Sequence, residues 1–360
     1  MNSKTWINLY FIALVAIFSL SSVLFYIVNP SHYFESESNI SSHNTVLSKY
    51  NIVSRIKPSS IILGSSRAER GYNPTHKYFL KPSFNFGMGG PSIFDIKNNF
   101  KHTLKQGNLK QVLLVIDYLS FNANIMDKTS KNNKSLYQQI LNTPLDLYHT
   151  KKSHYNNGMR INENKIKSIK KQGGHLKAMA HNDLKFYKNY PKINYTYLDT
   201  GSSSFFDFEE IVRLSYENNI QLDIVFGPSH IRQWEALDYY RDYNLWLKWK
   251  SDVVTSVHKI AHIYNKPNYK VFDFSVYHPL TAEDVPHNKE VDMQYHWESS
   301  HYKNTLGAIV LDRLTGESEY SDFGVEIDTN NIKKHIKNQI INRRLYIDTR
   351  KYREEIWGKN

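Results

Sequence analysis

An uncharged, largely apolar run near the amino end, from Trp6 to Val28, constrains this chain more than any other feature. As a helix it is long enough to cross the roughly 30 Å hydrocarbon core of a bilayer, and aromatic residues lie near both of its ends. A cleaved secretory signal is the alternative, but the run is long for one and no small-residue cleavage site follows it. The sequence therefore predicts an uncleaved membrane anchor over residues 1–28.

The charges on either side of this run predict its orientation. Lys4 and the amino terminus precede it, whereas Glu35 and Glu37 are the first charged residues after it. By the positive-inside rule, the amino end lies in the cytoplasm and the main domain lies outside it. The chain has no cysteine, which agrees with an exported domain that lacks disulfides but is also common in cytosolic proteins.

Composition divides the rest of the chain into three parts. Residues 29–50 are rich in Ser, Asn and His, as expected for a tether. Residues 51–320 have the length of one domain with an insertion at about 125–205, where the polar sequence predicts a lid, an acceptor-binding surface or solvated decoration. Residues 321–360 are a basic tail, within which residues 331–360 carry +6 of the net charge of +12. Such a tail could bind anionic glycan or lipid, or it could be a solvated helix or a frayed end.

Five apolar runs have the length of buried strands, and helical patterns lie between them. Strands that alternate with helices predict an α/β fold, namely a three-layer α/β/α sandwich around a five-stranded parallel sheet. In such folds the functional residues gather at the carboxyl ends of the strands. The expected strands are Ser60–Leu63, Ser83–Phe86, Gln111–Ile116, Gln221–Phe226 and Tyr269–Phe274.

Two short segments offer the parts of a serine-dependent catalytic site. Ser66 follows the first predicted strand closely, and Glu298 and His301 lie three residues apart near the end of the domain. A serine is a poor nucleophile at neutral pH, so it needs an adjacent base and a carboxylate that orients this base. Ser66, His301 and Glu298 are therefore the candidate nucleophile, base and acid. The alternatives are that Ser66 only caps a helix and that Glu298 is a surface carboxylate.

Other catalytic classes have less support in the sequence. Ala68 occupies the position of the second glycine in the Gly-x-Ser-x-Gly motif of α/β-hydrolases. The sequence contains no zinc-type ligand spacing, dinucleotide fingerprint, P-loop or recognisable nucleic-acid module. We therefore expect no metal, no cofactor and no nucleic-acid partner.

These segments resemble conserved blocks of the SGNH, or GDSL-like, hydrolase superfamily, in particular its membrane-anchored bacterial branch linked to cell-surface polysaccharide or teichoic-acid modification. Its Gly-Asp-Ser, Asn-x-Gly-x-Ser-Gly and Asp-x-x-His blocks are similar to Gly64-Ser65-Ser66, Asn85-Phe86-Gly87-Met88-Gly89-Gly90 and Glu298-Ser299-Ser300-His301. The remaining block of the family, Gly-x-Asn-Asp, is absent from residues 116–122, where it would fall. Asp117 or Asn122 could take its place.

The resemblance implies roles for further residues. The backbone N–H groups of Ser66 and Gly90 would form the oxyanion hole, and Asn122 is a third candidate donor. Each such donor contributes on the order of 3 kcal/mol to transition-state stabilisation. Arg67 and His230 are candidate substrate-binding residues, and for His230 a structural turn is the alternative.

The resemblance also implies a function, that of an extracytoplasmic serine esterase or O-acyltransferase acting on cell-surface glycan. The protein would sit in the bacterial cytoplasmic membrane as a single-pass protein, with its domain in the periplasm or outside the cell. A single span cannot carry an acyl donor across the membrane, so a transferase would need a multi-pass acyltransferase partner. The alternative is a catalytically inert SGNH-like glycan-binding or assembly factor, which the absent block and the Glu-for-Asp replacement favour.

Overall fold

A six-stranded sheet organises the part of the chain that follows the amino-terminal helix. The computed structural model describes residues 2–29, 32–34, 40–42, 45–125, 137–138, 140–141, 143, 153–162, 164–188, 192–239 and 243–346. The other parts of the predicted tether, insertion and tail lie outside the described residues.

The helices of the described chain are α1 (Ser3–Val28), α2 (Thr45–Ile56), α3 (Ser66–Gly71), α4 (Ile93–Leu104), α5 (Lys165–Lys171), α6 (His175–Lys188), α7 (Ser204–Glu217), α8 (Ile231–Tyr239), α9 (Tyr243–Ile263), α10 (Asn304–Thr315) and α11 (Ile332–Tyr346). The strands are β1 (Ile40–Ser42), β2 (Ser60–Gly64), β3 (Ser83–Asn85), β4 (Gln111–Ile116), β5 (Ser153–Asn156), β6 (Met159–Arg160), β7 (Gln221–Phe226), β8 (Lys270–Asp273) and β9 (Val325–Ile327). A short 3-10 helix, Tyr118–Phe121, follows β4.

The main sheet has the strand order β3-β2-β4-β7-β8-β9. The first five strands are parallel, and they occupy the five apolar runs of the sequence. β9 pairs antiparallel with β8, so the sheet has six strands and the predicted number of five was one short. Only one of the three residues of β9 is buried, and for this reason no apolar run signals it in the sequence.

Helices cover both faces of the main sheet. Alternate side chains of a strand point to opposite faces, so Ile61 and Leu63 of β2 belong to one apolar core and Ile62 belongs to the other. Residues of α4, α7 and α9 fill the first core, whereas residues of α3 and α10 fill the second. Each fully buried aliphatic side chain stabilises such a core by roughly 1.5–3 kcal/mol. The result is a three-layer α/β/α arrangement.

The amino-terminal helix α1 is long and apolar enough to cross a membrane, judged by its length and composition. After it, the predicted tether ends earlier than expected, because α2 already begins at Thr45. Leu47 and Lys49 of α2 are buried in the domain. The predicted boundary at residue 51 is therefore wrong, and α2 escaped notice because only part of its surface is apolar.

The described parts of the insertion pack on the domain. β5 and β6 form a small antiparallel sheet with β1. On α6, Asn182 donates a hydrogen bond to Ser299 Oγ at 2.9 Å. Its neighbour Asp183 forms a buried ion pair with Arg232 Nε at 2.6 Å. The insertion thus contacts the segment that carries the predicted catalytic histidine.

Much of the predicted basic tail also belongs to the domain. On α11, Ile332, His335 and Gln339 are buried. His335 Nε2 lies 2.7 Å from Asp273 Oδ2, and Gln339 donates to the carbonyl oxygen of Ser275 at 2.9 Å. The expectation of a tail outside the core is therefore wrong for β9 and α11. Two of these three buried residues are polar, so the helix shows no apolar stripe in the sequence.

Candidate active site

The turn between β2 and α3 presents Ser66 at the carboxyl edge of the sheet. Ser65 caps the helix, since its Oγ accepts a hydrogen bond from the backbone N–H of Arg67 at 3.2 Å. The same hydroxyl donates to the carboxylate of Asp117, which follows β4. Ser65 therefore points into the protein, whereas Ser66 begins the helix and remains partly accessible.

Ser66, His301 and Glu298 form a continuous chain of hydrogen bonds. Ser66 Oγ lies 2.7 Å from His301 Nε2, and His301 Nδ1 donates to Glu298 Oε1. Glu298 Oε2 accepts from the backbone N–H groups of Ser300 at 2.8 Å and of His301 at 3.3 Å. A carboxylate can only accept, so Nδ1 carries the proton and Nε2 is left to accept from Ser66. These three predicted residues are brought together in the order that a nucleophile, a base and an orienting acid require.

The electrostatics of this chain favour a neutral imidazole beside an ionised carboxylate. Burial lowers the pKa of His301, and nearby Arg70 and Arg67 lower it further against the opposing effect of Glu298. Burial alone would raise the pKa of Glu298, but His301 and the hydrogen bond from Ser300 outweigh it and lower this pKa to about 2. His301 can therefore accept a proton at neutral pH.

Arg67 connects the segments that carry the site residues. Its guanidinium forms an ion pair with Asp117, and its Nε donates to the carbonyl oxygen of Ser300 at 3.1 Å. It thereby ties the nucleophile turn to β4 and to the segment that carries His301. The side chain is only 7% exposed, so a direct contact between Arg67 and substrate stays a prediction.

The predicted oxyanion donors have unequal surroundings. Gly90 has a positive φ of 57°, which favours glycine at this position. Asn85, at the start of the same block, donates to the carbonyl oxygens of Ala68 at 2.9 Å and Tyr72 at 2.8 Å, and so fixes the block against α3. Asn122 is fully buried.

The side chain of Asn122 supports loops beyond β4. Its Oδ1 accepts from the backbone N–H groups of Asn124 at 3.1 Å and Asn194 at 3.2 Å. Asp117 pairs with a guanidinium, and a carboxylate in such a pair accepts hydrogen bonds and does not donate them. Asp117 therefore does not replace the missing donor block, and the role of Asn122 as a donor stays a prediction.

His230 does not line the cleft, and its predicted contact with substrate is wrong. The side chain is fully buried, its Nε2 donates to the carbonyl oxygen of Glu283 at 2.8 Å, and its Nδ1 accepts from the backbone N–H of Arg232 at 3.1 Å. Burial, reinforced by the nearby His296, lowers the pKa of His230 to about 3. Both ring nitrogens are used to hold a turn.

Two contacts that support the site were not predicted. Lys49 of α2 is fully buried and donates to Glu69 of α3 at 3.1 Å and to the carbonyl oxygen of Gly87 at 2.5 Å. It therefore links α3 to the block that contains Gly90. No local pattern marks this contact, because it joins three distant segments.

The second unpredicted contact joins the nucleophile helix to the helix that follows the histidine. At the crossing of α3 and α10, a Cβ added to Gly307 would lie 1.7 Å from the carbonyl oxygen of Gly71. A Cβ on Gly71 would lie 2.1 Å from the ring of Tyr302, the residue after His301. The two glycines therefore permit the close approach of the helix that begins at Ser66 to the segment that follows His301.

Among the residues that the structure describes, no group of three or more His, Cys, Asp or Glu side chains could hold a metal ion.

No protein-family model matches the sequence. No curated protein matches it either. A structurally similar chain among solved structures comes from Bacteroides fragilis and is described as a "putative acylhydrolase". It shares 11% identity with this chain, with a TM-score of 0.32 and coverage of 77% of this chain and 87% of the other. A similarity at this level carries no inference about fold or chemistry.

Proposed function

We propose that the protein is a membrane-anchored serine esterase or O-acyltransferase that acts on cell-surface glycan outside the bacterial cytoplasmic membrane. The observation that carries the proposal is the chain of hydrogen bonds from Ser66 through His301 to Glu298. The glycan substrate and the location are supported by the apolar α1, by the order of charges around it, and by the resemblance of the sequence blocks.

The geometry supports acyl transfer in two halves. Ser66 Oγ attacks the acyl carbonyl while His301 Nε2 takes its proton, and Glu298 stabilises the imidazolium that forms. The backbone N–H groups of Ser66 and Gly90 would stabilise the oxyanion of the tetrahedral intermediate. His301 then returns the proton to the leaving alcohol, which leaves an acyl-enzyme on Ser66. Water or a sugar hydroxyl, deprotonated by His301, attacks this acyl group and restores the serine.

A fluorophosphonate probe tests whether Ser66 is the nucleophile. The intact protein should be labelled on Ser66, and the Ser66→Ala variant should lose the label. Ser321→Ala, which removes an exposed hydroxyl on the distant turn before β9, is the matched control and should be labelled like the parent. Labelling that persists in Ser66→Ala would move the nucleophile elsewhere.

The topology needs a separate experiment. A reporter that fluoresces only in the cytoplasm, fused after the last residue, should stay dark, because α1 would carry the domain across the membrane. Bright fluorescence would refute the extracytoplasmic location and the glycan substrate with it. A transferase would additionally require a multi-pass partner that supplies the acyl group from the cytoplasm.

One observation favours the alternative of a catalytically inert glycan-binding or assembly factor. The Gly-x-Asn-Asp block that would supply the third oxyanion donor is absent from residues 116–122. In an inert protein the cleft would persist without turnover. The fluorophosphonate experiment separates the two functions, because an inert protein would show no label on Ser66.

A further inference from the structure

Two arginines beside the triad have no part in the mechanism above. Arg70 lies on α3 one turn after Ser66, and positions four apart share one side of a helix. Arg160 lies on β6, which packs against α3. The two elements are joined by a hydrogen bond from Arg70 Nη1 to Asn162 Oδ1. Arg70 interacts electrostatically with Arg160 on one side and with the catalytic acid Glu298 on the other.

The carboxylates in this neighbourhood already have partners of their own. Glu69 forms its ion pair with Lys49, and Glu298 holds His301. Within the described part of the chain, neither Arg70 nor Arg160 forms an ion pair with an acid. Like charges held this close repel each other, and the repulsion is stronger where water is partly excluded.

Arg70 is a partly buried cation with one unsatisfied hydrogen-bond donor. The residue is half-buried, and its Nε is a buried nitrogen without a hydrogen-bond partner. Burial and the neighbouring Arg160 both lower the pKa of the Arg70 guanidinium. Leaving a buried donor unsatisfied costs about 1–3 kcal/mol, and more for a charged group. A ligand that supplies negatively charged oxygens would offset the repulsion between Arg70 and Arg160.

We propose that Arg70 and Arg160 bind an oxyanionic group of the substrate, a carboxylate or a phosphate carried by the sugar that bears the ester. The planar guanidinium offers paired N–H donors that match both groups. Because Arg70 lies one helical turn from Ser66, such a group would lie close to the reacting ester and not along a distant part of the glycan. This inference rests on the proposed function and narrows its substrate from glycans in general to anionic glycans.

Matched esters test the proposal with the full chain in detergent micelles. The acetylated methyl glucuronoside carries the carboxylate, its uronate methyl ester is the neutral counterpart, and an acetylated methyl glucoside 6-phosphate carries the phosphate. The ester whose anion the arginines bind should have a KM about tenfold below that of the neutral ester and a similar kcat. The reason is that a contact made equally in the ground state and the transition state changes KM alone. Comparison of the uronate with the phosphate identifies which anion is bound.

Variants of Arg160 assign the effect. Arg160→Gln should raise KM for the charged ester about tenfold and leave the neutral ester unchanged, since charge-assisted hydrogen bonds are lost. Arg160→Lys should restore part of the preference. Lys110→Gln removes one exposed charge at the opposite edge of the sheet and should behave like the parent. Unchanged melting temperatures would show that each variant folds.

Binding measurements keep this inference separate from the proposed function. Calorimetry with the deacetylated glucuronoside and with inorganic phosphate, on Ser66→Ala protein, requires no turnover. Binding that depends on Arg160 would support the anion site even if no ester is hydrolysed. Equal KM values for charged and neutral esters in the parent protein, or binding that Arg160→Gln leaves unchanged, would overturn the proposal.

Discussion

Replacement of Glu298 by Gln isolates the contribution of one negative charge to the catalytic unit. Gln keeps the size of the side chain and an oxygen that can accept from the backbone N–H of Ser300. It removes the charge that faces His301 Nδ1 across a buried hydrogen bond. The change therefore acts on the stability of the imidazolium that forms when Ser66 gives up its proton.

The structure supplies the magnitude. The pKa of Glu298 falls from 4.5 to about 2, and each unit corresponds to about 1.4 kcal/mol. The full shift is thus worth about 3 kcal/mol, and the part that comes from the backbone hydrogen bonds persists with Gln. We expect the loss of charge to raise the barrier by about 2–3 kcal/mol, which lowers kcat by about 30- to 150-fold.

Initial rates of 4-nitrophenyl acetate hydrolysis between pH 4.5 and 8 provide the assay. Activity should rise with pH as His301 becomes neutral, and in Glu298→Gln this rise should move to lower pH, because the group that raises the pKa of His301 is gone. Glu319→Gln, at an exposed position, is the control. A kcat within twofold of the parent, or a pH profile that does not move, would refute the orienting role of Glu298.

Three further changes test other parts of the structure. Gly307→Ala should lower kcat about 100-fold with little change in KM, because the 1.7 Å clash would force α3 and α10 apart by about 1 Å and so misplace Ser66 relative to His301. The pKa of His230 is about 3 in the folded protein and 6.5 in the unfolded chain, so protonation below pH 6.5 favours unfolding. The free energy of unfolding should therefore fall by about 2 kcal/mol between pH 6.5 and 5. Asp273→Asn should lower the free energy of unfolding by about 3–5 kcal/mol and the melting temperature by roughly 10 °C, because the buried Lys250 loses the carboxylate that lies 2.6 Å from its Nζ.

Each of these expectations can fail in a distinct way. Normal turnover in Gly307→Ala would show that the helices yield without moving the triad. A pH dependence of stability that is the same in His230→Gln as in the parent would assign the acid sensitivity to other groups. A melting temperature within 2–3 °C of the parent in Asp273→Asn would mean that Lys250 reaches water.

The parallel strands were predictable because each is a continuous apolar run between turn-forming residues, as in β2 and β4, where every residue is buried. The elements that were missed lack this signal. β9 and α11 are mostly polar, and they join the domain through specific hydrogen bonds such as that between His335 and Asp273. Pairing of this kind depends on the finished fold and leaves no periodic mark in the sequence.

The residues of the candidate site also differ in how far the sequence predicts them. Ser66, Glu298 and His301 could be expected to meet because the proposed chemistry requires these residue types together, and they form one chain of hydrogen bonds in the structure. His230 was assigned to the cleft because it follows β7, but sequence position does not reveal that a loop carbonyl and a backbone N–H enclose its ring. Arg160 was missed because it belongs to the insertion, whose packing against α3 is a property of the tertiary structure.

The early start of the domain at β1 limits how far an anchored domain could travel. Between the end of α1 at Val28 and the start of β1 at Ile40, the chain spans at most about 40 Å even when fully extended, at roughly 3.5 Å per residue. A domain attached by so short a segment would stay close to the bilayer surface. Polymer already extending far into the wall or capsule would be out of its range. The ester chemistry proposed for this protein would therefore be confined to glycan close to the membrane surface.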